Sequence, residues 1–305
     1  MRKVTTVLGD IDSSSLGFTY VHEHLYAVPP ANQKDRDLEL SSYDNSLYEL
    51  QQFKSVGGET LVEASTIDYG RNPVALKKMA EVTGVNVIAT TGFNKNMYYP
   101  QWVAERTTEE IAEYMIRDIE VGIDGTSIRA GQIKTGGSYN VVHPLEIKVT
   151  HACAMTHKKT GVPLWCHTEA GTMAHEILDI FEEHEIPMNH ICVGHLDRNL
   201  DEEYLLSLAQ RGIFIQFDGP GKVKYYPDSM RVAMLKSLKD HGYIKQILIS
   251  GDMGRASYLK GYGGGPGFEF IKTKFIPRLL RNGFTEEDIH QIFVVNPKEW
   301  LGQER

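Results

Sequence analysis

Two histidines one residue apart, His22 and His24 in the run LGFTYVHEHL, are the first positions along the chain whose types and spacing could do chemistry. Side chains in a strand alternate between faces, so positions i and i+2 project together and two imidazoles placed that way can chelate one cation. Alone the pattern is weak, because the same spacing occurs where histidines merely pack or hydrogen-bond. Four further residues give it weight. His167 lies near the end of VPLWCHTE, His195 near the end of HICVGHLD, Asp252 near the end of QILISGDMG, and Lys134 within AGQIKTGG. Four imidazoles and a carboxylate are borderline-to-hard ligands that suit Zn²⁺ or Mn²⁺ and leave room for a bound water. The other histidines, His143, His151, His157, His175, His184, His190, His241 and His290, fall in helical stretches, loops or strand starts and read as surface or structural residues.

Lys134 is the odd member of the set, since an ammonium among histidines repels cations. A buried lysine resists carrying charge. One reading is a neutral amine that combines with CO₂ to a carbamate, whose two oxygens can bridge two metals. The other is a structural lysine paired with Glu169 or Asp197.

These residues need elements that bring them together. Short apolar or β-branched runs recur at 17–24, 60–66, 86–93, 130–137, 162–169, 190–197, 213–219 and 246–254. Helical apolar spacing fills the stretches between many of them, at 72–84, 107–123, 144–161, 174–185, 201–212 and 228–242. Gly84, Gly161, Gly212 and Gly242 are suited to left-handed helix caps just before the next strand. Eight alternating units in 305 residues predict a single (β/α)8 TIM barrel over 1–305, with an open doubly wound sheet as the alternative. In a barrel the carboxyl ends of the strands form one rim, and the six candidate residues would converge there.

Composition narrows the function. With 41% hydrophobic residues the chain can bury a large core. The net charge of −8 and the lack of any Lys/Arg run argue against a nucleic-acid partner. No stretch of about 18 apolar residues is present, and the N-terminus has no apolar leader segment, so the expectation is a cytoplasmic protein without a membrane role. Cys153, Cys166 and Cys192 lack CxxC spacing and read as core residues. Neither a GxSxG elbow nor a GxGxxG fingerprint is present.

The motif VHEH at 21–24, the strand-end Lys134, His167 in CHTEAG, His195 in GHLD and Asp252 in SGDMG, in that order along nearly the whole chain, resemble the phosphotriesterase-like branch of the amidohydrolase superfamily. The resemblance implies a hydrolase with two divalent ions, Zn²⁺ first and Mn²⁺ or Co²⁺ as alternatives. It implies that His22, His24 and Asp252 hold the more buried ion and His167 and His195 the more exposed one. Carboxylated Lys134 would bridge both, together with the hydroxide that attacks, and Asp252 would act as the catalytic proton carrier.

Members of the resembling group divide among phosphotriesters, acyl-homoserine and other lipophilic lactones, and phosphorylated sugar lactones. The loops following the seventh and eighth runs distinguish these. DGPGKVKYYPDSMR carries Lys222, Lys224 and Tyr225, and GRASYLKGYGGGPGF carries Arg255 and Tyr258. Barrel enzymes frequently bind phosphate with these two loops, and in an acidic protein a local cation cluster is what an anionic substrate needs. The loop after the third run adds Asn94, Lys95, Tyr98 and Tyr99. The leading expectation is therefore opening of a pentono-1,4-lactone 5-phosphate type of substrate, with Tyr98, Lys222, Lys224, Tyr225, Arg255 and Tyr258 in contact with it. A phosphotriesterase or lipophilic lactonase is the alternative, and a catalytically silent binding barrel the non-enzyme one. Met97, Tyr98, Tyr99 and Trp102 read equally as a pocket wall or as a contact in a homodimer.

Overall fold

The computed structural model describes residues 2–302. Its first element is absent from the sequence expectations: a hairpin of β1 (Lys3–Thr6) and β2 (Gly9–Asp12), paired antiparallel. The hairpin closes the amino-terminal end of the barrel. Val7 N donates to Val87 O at 2.8 Å, and a Cβ on Gly131 would meet Thr5 O at 2.3 Å, so glycine is what lets the two backbones approach.

Eight parallel strands follow in sequential order: β3 (Thr19–Glu23), β4 (Thr60–Glu63), β5 (Asn86–Gly92), β6 (Ala130–Gly137), β7 (Leu164–Thr168), β8 (Ile191–Val193), β9 (Phe214–Phe217) and β10 (Ile247–Ile249). Each lies within one of the eight expected runs. The first and last strands are joined through Ser250, whose Oγ donates to His22 O at 2.8 Å, and through Asp252 N, which donates to the same carbonyl at 3.1 Å. The result is a near-closed (β/α)8 barrel, not an open sheet.

The helices fall where apolar spacing placed them, at Pro73–Thr83, Thr108–Glu120, Pro144–Thr160, Ala174–Glu183, Glu202–Gln210 and Asp228–Asp240. Gly84 and Gly161 cap two of them at φ 65° and 68°. Further helical segments, at Tyr43–Ser55 and through the last thirty or so residues, complete the outer layer.

Two apolar clusters result. The larger lies between strands and helices. The smaller fills the barrel interior with Val21, Val62, Ile88, Trp165, Cys192, Phe214 and Leu248, one from each of seven strands. On β6 the inward positions are polar, Gln132 and Lys134, and both are buried. The three cysteines are free and buried. Among the described residues no helix is long and apolar enough to cross a membrane.

Candidate metal centre and substrate cavity

Trp165 forms the floor of the site. Its indole Nε1 donates to Gln216 Oε1 at 2.7 Å, and a Cβ on Gly194 would come within 2.0 Å of the ring, so the small residue makes room for it. The His22 imidazole stacks on this indole at 3.8 Å between centroids, and Lys134 Nζ lies 4.9 Å from its centre. A register shift between Tyr20 and Glu23 marks a β-bulge, which allows His22 to face inward although its neighbour Val21 already does.

Above the floor the six candidate ligands converge. Asp252 Oδ1 lies 3.5 Å from His22 Nε2 and 3.6 Å from His24 Nε2, and its Oδ2 lies 4.0 Å from His195 Nδ1. Ligand atoms of His22, His195 and Asp252 all fall within 4.8 Å of one another. The rings of His167 and His195 meet edge to face at 4.6 Å. Both ring nitrogens of His22 are buried without a hydrogen-bond partner, an arrangement that costs free energy unless something accepts a lone pair. Two donors on one tetrahedral ion at about 2.0–2.1 Å each sit roughly 3.3 Å apart. The Nε2 to Oδ1 separations are close to that, so the residues present fit a divalent cation.

Electrostatics agree with this fit. Burial holds His22, His24, His167 and His195 below their ordinary pKa, leaving neutral imidazoles with lone pairs available. Burial also brings Lys134 down to about 8, within reach of the neutral amine that carbamate formation requires. The structural alternative for Lys134, pairing with Glu169 or Asp197, is not what the fold provides. Lys134 Nζ donates to Ala64 O at 3.1 Å, Glu169 is taken by Lys95 and His167, and Asp197 by Arg231 at 2.6 Å.

Two candidate ligand positions lie beyond their strands in left-handed backbone, His195 at φ 62° and Asp252 at φ 43°. Such conformations persist where neighbours over-determine them. Asp218 does so for His195, accepting from its backbone N and from its Nδ1, both at 2.8 Å. Glu23 does so for Asp252: it accepts from Met253 N at 3.0 Å and from Gly251 N, with Ser250 Oγ 2.8 Å from its carboxyl. His24 Nδ1 is fixed by Ser65 Oγ at 2.8 Å. None of these supporting residues was singled out from sequence, because a buried carboxylate that bonds backbone amides has no spacing signature.

The second oxygen of Asp252 carries a different burden. Oδ2 accepts from Arg198 Nη2 at 2.7 Å and from Lys222 Nζ at 2.9 Å. Burial works to raise the Asp252 pKa, but the adjacent Lys222 charge outweighs it, with smaller contributions from the neighbouring His195, His22 and His24, and holds the carboxyl well below the usual range. Arg198 was missed in the sequence, because the carboxylate it reaches lies 54 residues away on another strand end.

Over this centre lies a cavity of about 180 Å³. Tyr98, Tyr225, Arg255 and Tyr258, all expected at the substrate, line it. Lys222 does not: its ammonium is turned onto Asp252, binding the backbone carbonyl as well as Oδ2. Lys224 is exposed, with Nζ 5.2 Å from the Tyr225 ring centre and 4.8 Å from that of Tyr258. Arg255 pairs with Asp35 at 2.6 Å and Asp37 at 3.3 Å, both through Nη1, so its other donors remain for a ligand. Trp102 packs on Phe93 and Tyr114 in the outer layer, whereas Met97 is 55% exposed.

The sequence profile of the phosphotriesterase family matches residues 2–301. A phospho-furanose lactonase of Mycoplasmopsis synoviae is 34% identical over 97% of this chain and 90% of its own. The crystal structure of a lactonase from Listeria monocytogenes superposes with a TM-score of 0.96 at 38% identity, covering 99% of this chain and all of that one. The phosphotriesterase homology protein of Escherichia coli, solved with phosphate in its active site, gives a TM-score of 0.90 at 34% identity over 94% of this chain and 99% of its own. With a matching fold, a converged His/Asp/Lys centre and a profile that spans the described residues, the chain belongs to the phosphotriesterase family, and it is a hydrolase.

Proposed function

We propose that the protein opens a phosphorylated sugar lactone, of the pentono-1,4-lactone 5-phosphate type, to the corresponding acid. The observation that carries this reading is the cavity wall. Arg198, Arg255, Lys95 and the hydroxyls of Tyr98, Tyr225 and Tyr258 face the centre, while Leu38 supplies the one aliphatic side chain among the described lining residues. A lipophilic acyl chain would find only Leu38 and the faces of tyrosine rings there, whereas an anion with hydroxyls would find several donors. The phosphate in the active site of the Escherichia coli protein and the name of the Mycoplasmopsis synoviae relative support the same reading.

The residues fit two divalent ions, one with His22, His24 and Asp252, the other with His167 and His195, and Lys134 as a carbamate is suited to join them; Zn²⁺ is the first choice for these donors, with Mn²⁺ and Co²⁺ next. Bound there, the ions would polarise the lactone carbonyl and lower the pKa of a water. The chain itself supplies the proton path and the anchoring. Asp252 takes the proton of the attacking water and passes it to the ring oxygen as the ring opens. Arg198 and Lys222 hold Asp252 Oδ2 and keep the group ionised until the proton arrives. Lys224, Arg255 and Tyr258 anchor the phosphate, fixing the ester carbon over the centre so that binding far from the reacting bond contributes to rate.

The test is a panel of aldonolactones with and without a terminal phosphate, given to protein loaded with Zn²⁺ or Mn²⁺. The phosphorylated members should turn over faster; preference for the unphosphorylated ones would overturn the reading.

A further inference from the structure

One wall of the cavity is not explained by an anion. Asn94 and Lys95 come from the loop after β5, and Glu169 from the turn after β7. Counted along the barrel these are the third and fifth strands, while Arg255 and Tyr258 follow the eighth and Tyr225 the seventh. The third and seventh positions of an eight-stranded barrel face each other across the opening, so the two walls oppose one another with the His/Asp centre between them.

The two walls differ in charge and in unfilled valence. Lys95 Nζ is bonded to Glu169 Oε2, which also lies 3.1 Å from His167 Nε2, and this wall is close to neutral. Glu169 Oε1 receives no hydrogen bond among the described residues. Asn94 is 7% exposed and its Oδ1 is buried without a partner. The wall is also held in place. Asn94 N donates to Asp68 Oδ2 at 2.8 Å and Asn96 N to Glu146 Oε1 at 2.9 Å, so the loop is fixed by buried carboxylates on both sides of Lys95. A rigid neutral surface that presents an amide, a carboxylate oxygen and an ammonium is what recognises hydroxyl groups, each of which donates and accepts once. It offers an anion no net charge and an alkyl chain no apolar surface.

We propose that Asn94, Lys95 and Glu169 form a hydroxyl-reading wall that sets specificity for the ring hydroxyls of the lactone, on the side of the reacting carbonyl away from the phosphate. The inference rests on the lactone reading above and goes beyond it by assigning these three residues as the selectors of the ring hydroxyls. A site that leaves polar groups unpaired when a substrate hydroxyl is missing rejects the deoxy analogue strongly. Because this wall is partly open to solvent, the expected discrimination is about 10- to 100-fold, well below the largest such factors.

The experiment compares kcat/KM for a pentonolactone phosphate and its 2-deoxy and 3-deoxy analogues in the metal-loaded wild type, Asn94→Ala and Glu169→Gln, with thermal melting to verify folding. The wild type should disfavour at least one deoxy analogue by the factor given, and the variants should bring that ratio toward one. A wild-type ratio within twofold for both analogues would overturn the inference, as would variants that lower every substrate by one common factor. Should no phosphorylated lactone turn over, the lactone phosphate reading has failed, and the same ratio measured on whichever lactones are hydrolysed decides the wall separately.

Discussion

Replacing Lys222 by methionine distinguishes a role at the substrate from a role on Asp252. The sequence placed this lysine in a phosphate-binding loop. In the structure its side chain has no exposure, and Nζ is 2.9 Å from Asp252 Oδ2. Methionine fills the space of the aliphatic stem and removes only the charge and its bonds. A hydrogen bond to a charged group contributes about 1.5–3 kcal/mol. Breaking a buried pair outright costs about 3–5 kcal/mol, but Arg198 remains on the same oxygen at 2.7 Å, so the lower range applies. At 1.36 kcal/mol per tenfold in rate, that corresponds to a fall in kcat of about 10- to 150-fold. Because Asp252 serves every substrate, steady-state assays should show the same factor for a lactone with and without phosphate, with KM little changed. A variant whose kcat is intact and whose KM rises only for the phosphorylated lactone would refute this assignment and return Lys222 to the substrate.

The complementary variant is Arg255→Met, which leaves Asp252 untouched; kcat/KM should fall by about 10- to 100-fold for the phosphorylated lactone, the loss of one to two charge-assisted bonds, and by less than about twofold for the unphosphorylated one. Equal losses on both would show that Arg255 acts only through Asp35 and Asp37. If Lys134 is carboxylated, metal-free protein reloaded in CO₂-depleted buffer should regain activity slowly and recover on adding bicarbonate, while indifference to bicarbonate counts against the carbamate. On stability, burial lowers His157, and burial together with repulsion from His157, 3.0 Å away, brings its partner His190 to about 4 from 6.5. The unfolded chain therefore binds more protons between these values, and the pair's contribution is present above about pH 6.5 and lost as pH falls toward 4. Urea midpoints measured from pH 7.5 to 4.5 should decline less steeply in His190→Gln than in the wild type, and identical slopes would remove the pair from the account.

The barrel was legible because its strands are buried on both faces and so read as compact apolar runs, each followed by helical periodicity and a glycine cap. The candidate ligand cluster was legible because rim position and residue type coincide for His22, His24, His167, His195 and Asp252, which stand near or just past strand ends, whereas Lys134 lies inside β6 and joins them from the barrel interior. The hairpin at Lys3–Asp12 was not, since KVTTVLGDID holds two four-residue strands with little apolar alternation. Nor were Glu23, Asp218 and Arg198 assigned, for their importance lies in which backbone amide or carboxylate they reach, and that is settled by tertiary packing. Lys222 shows the same limit from the other side. Its place on a cationic loop was readable, whereas the direction of its side chain depended on a carboxylate thirty residues away.

The most direct measurement of the central claim is the number and position of bound metal ions. Elemental analysis of protein purified and loaded with Zn²⁺, followed by anomalous scattering from crystals at the zinc edge, should find two ions per chain, one against His22, His24 and Asp252 and one against His167 and His195. Finding no ion there, or zinc only at other histidines, would contradict the account.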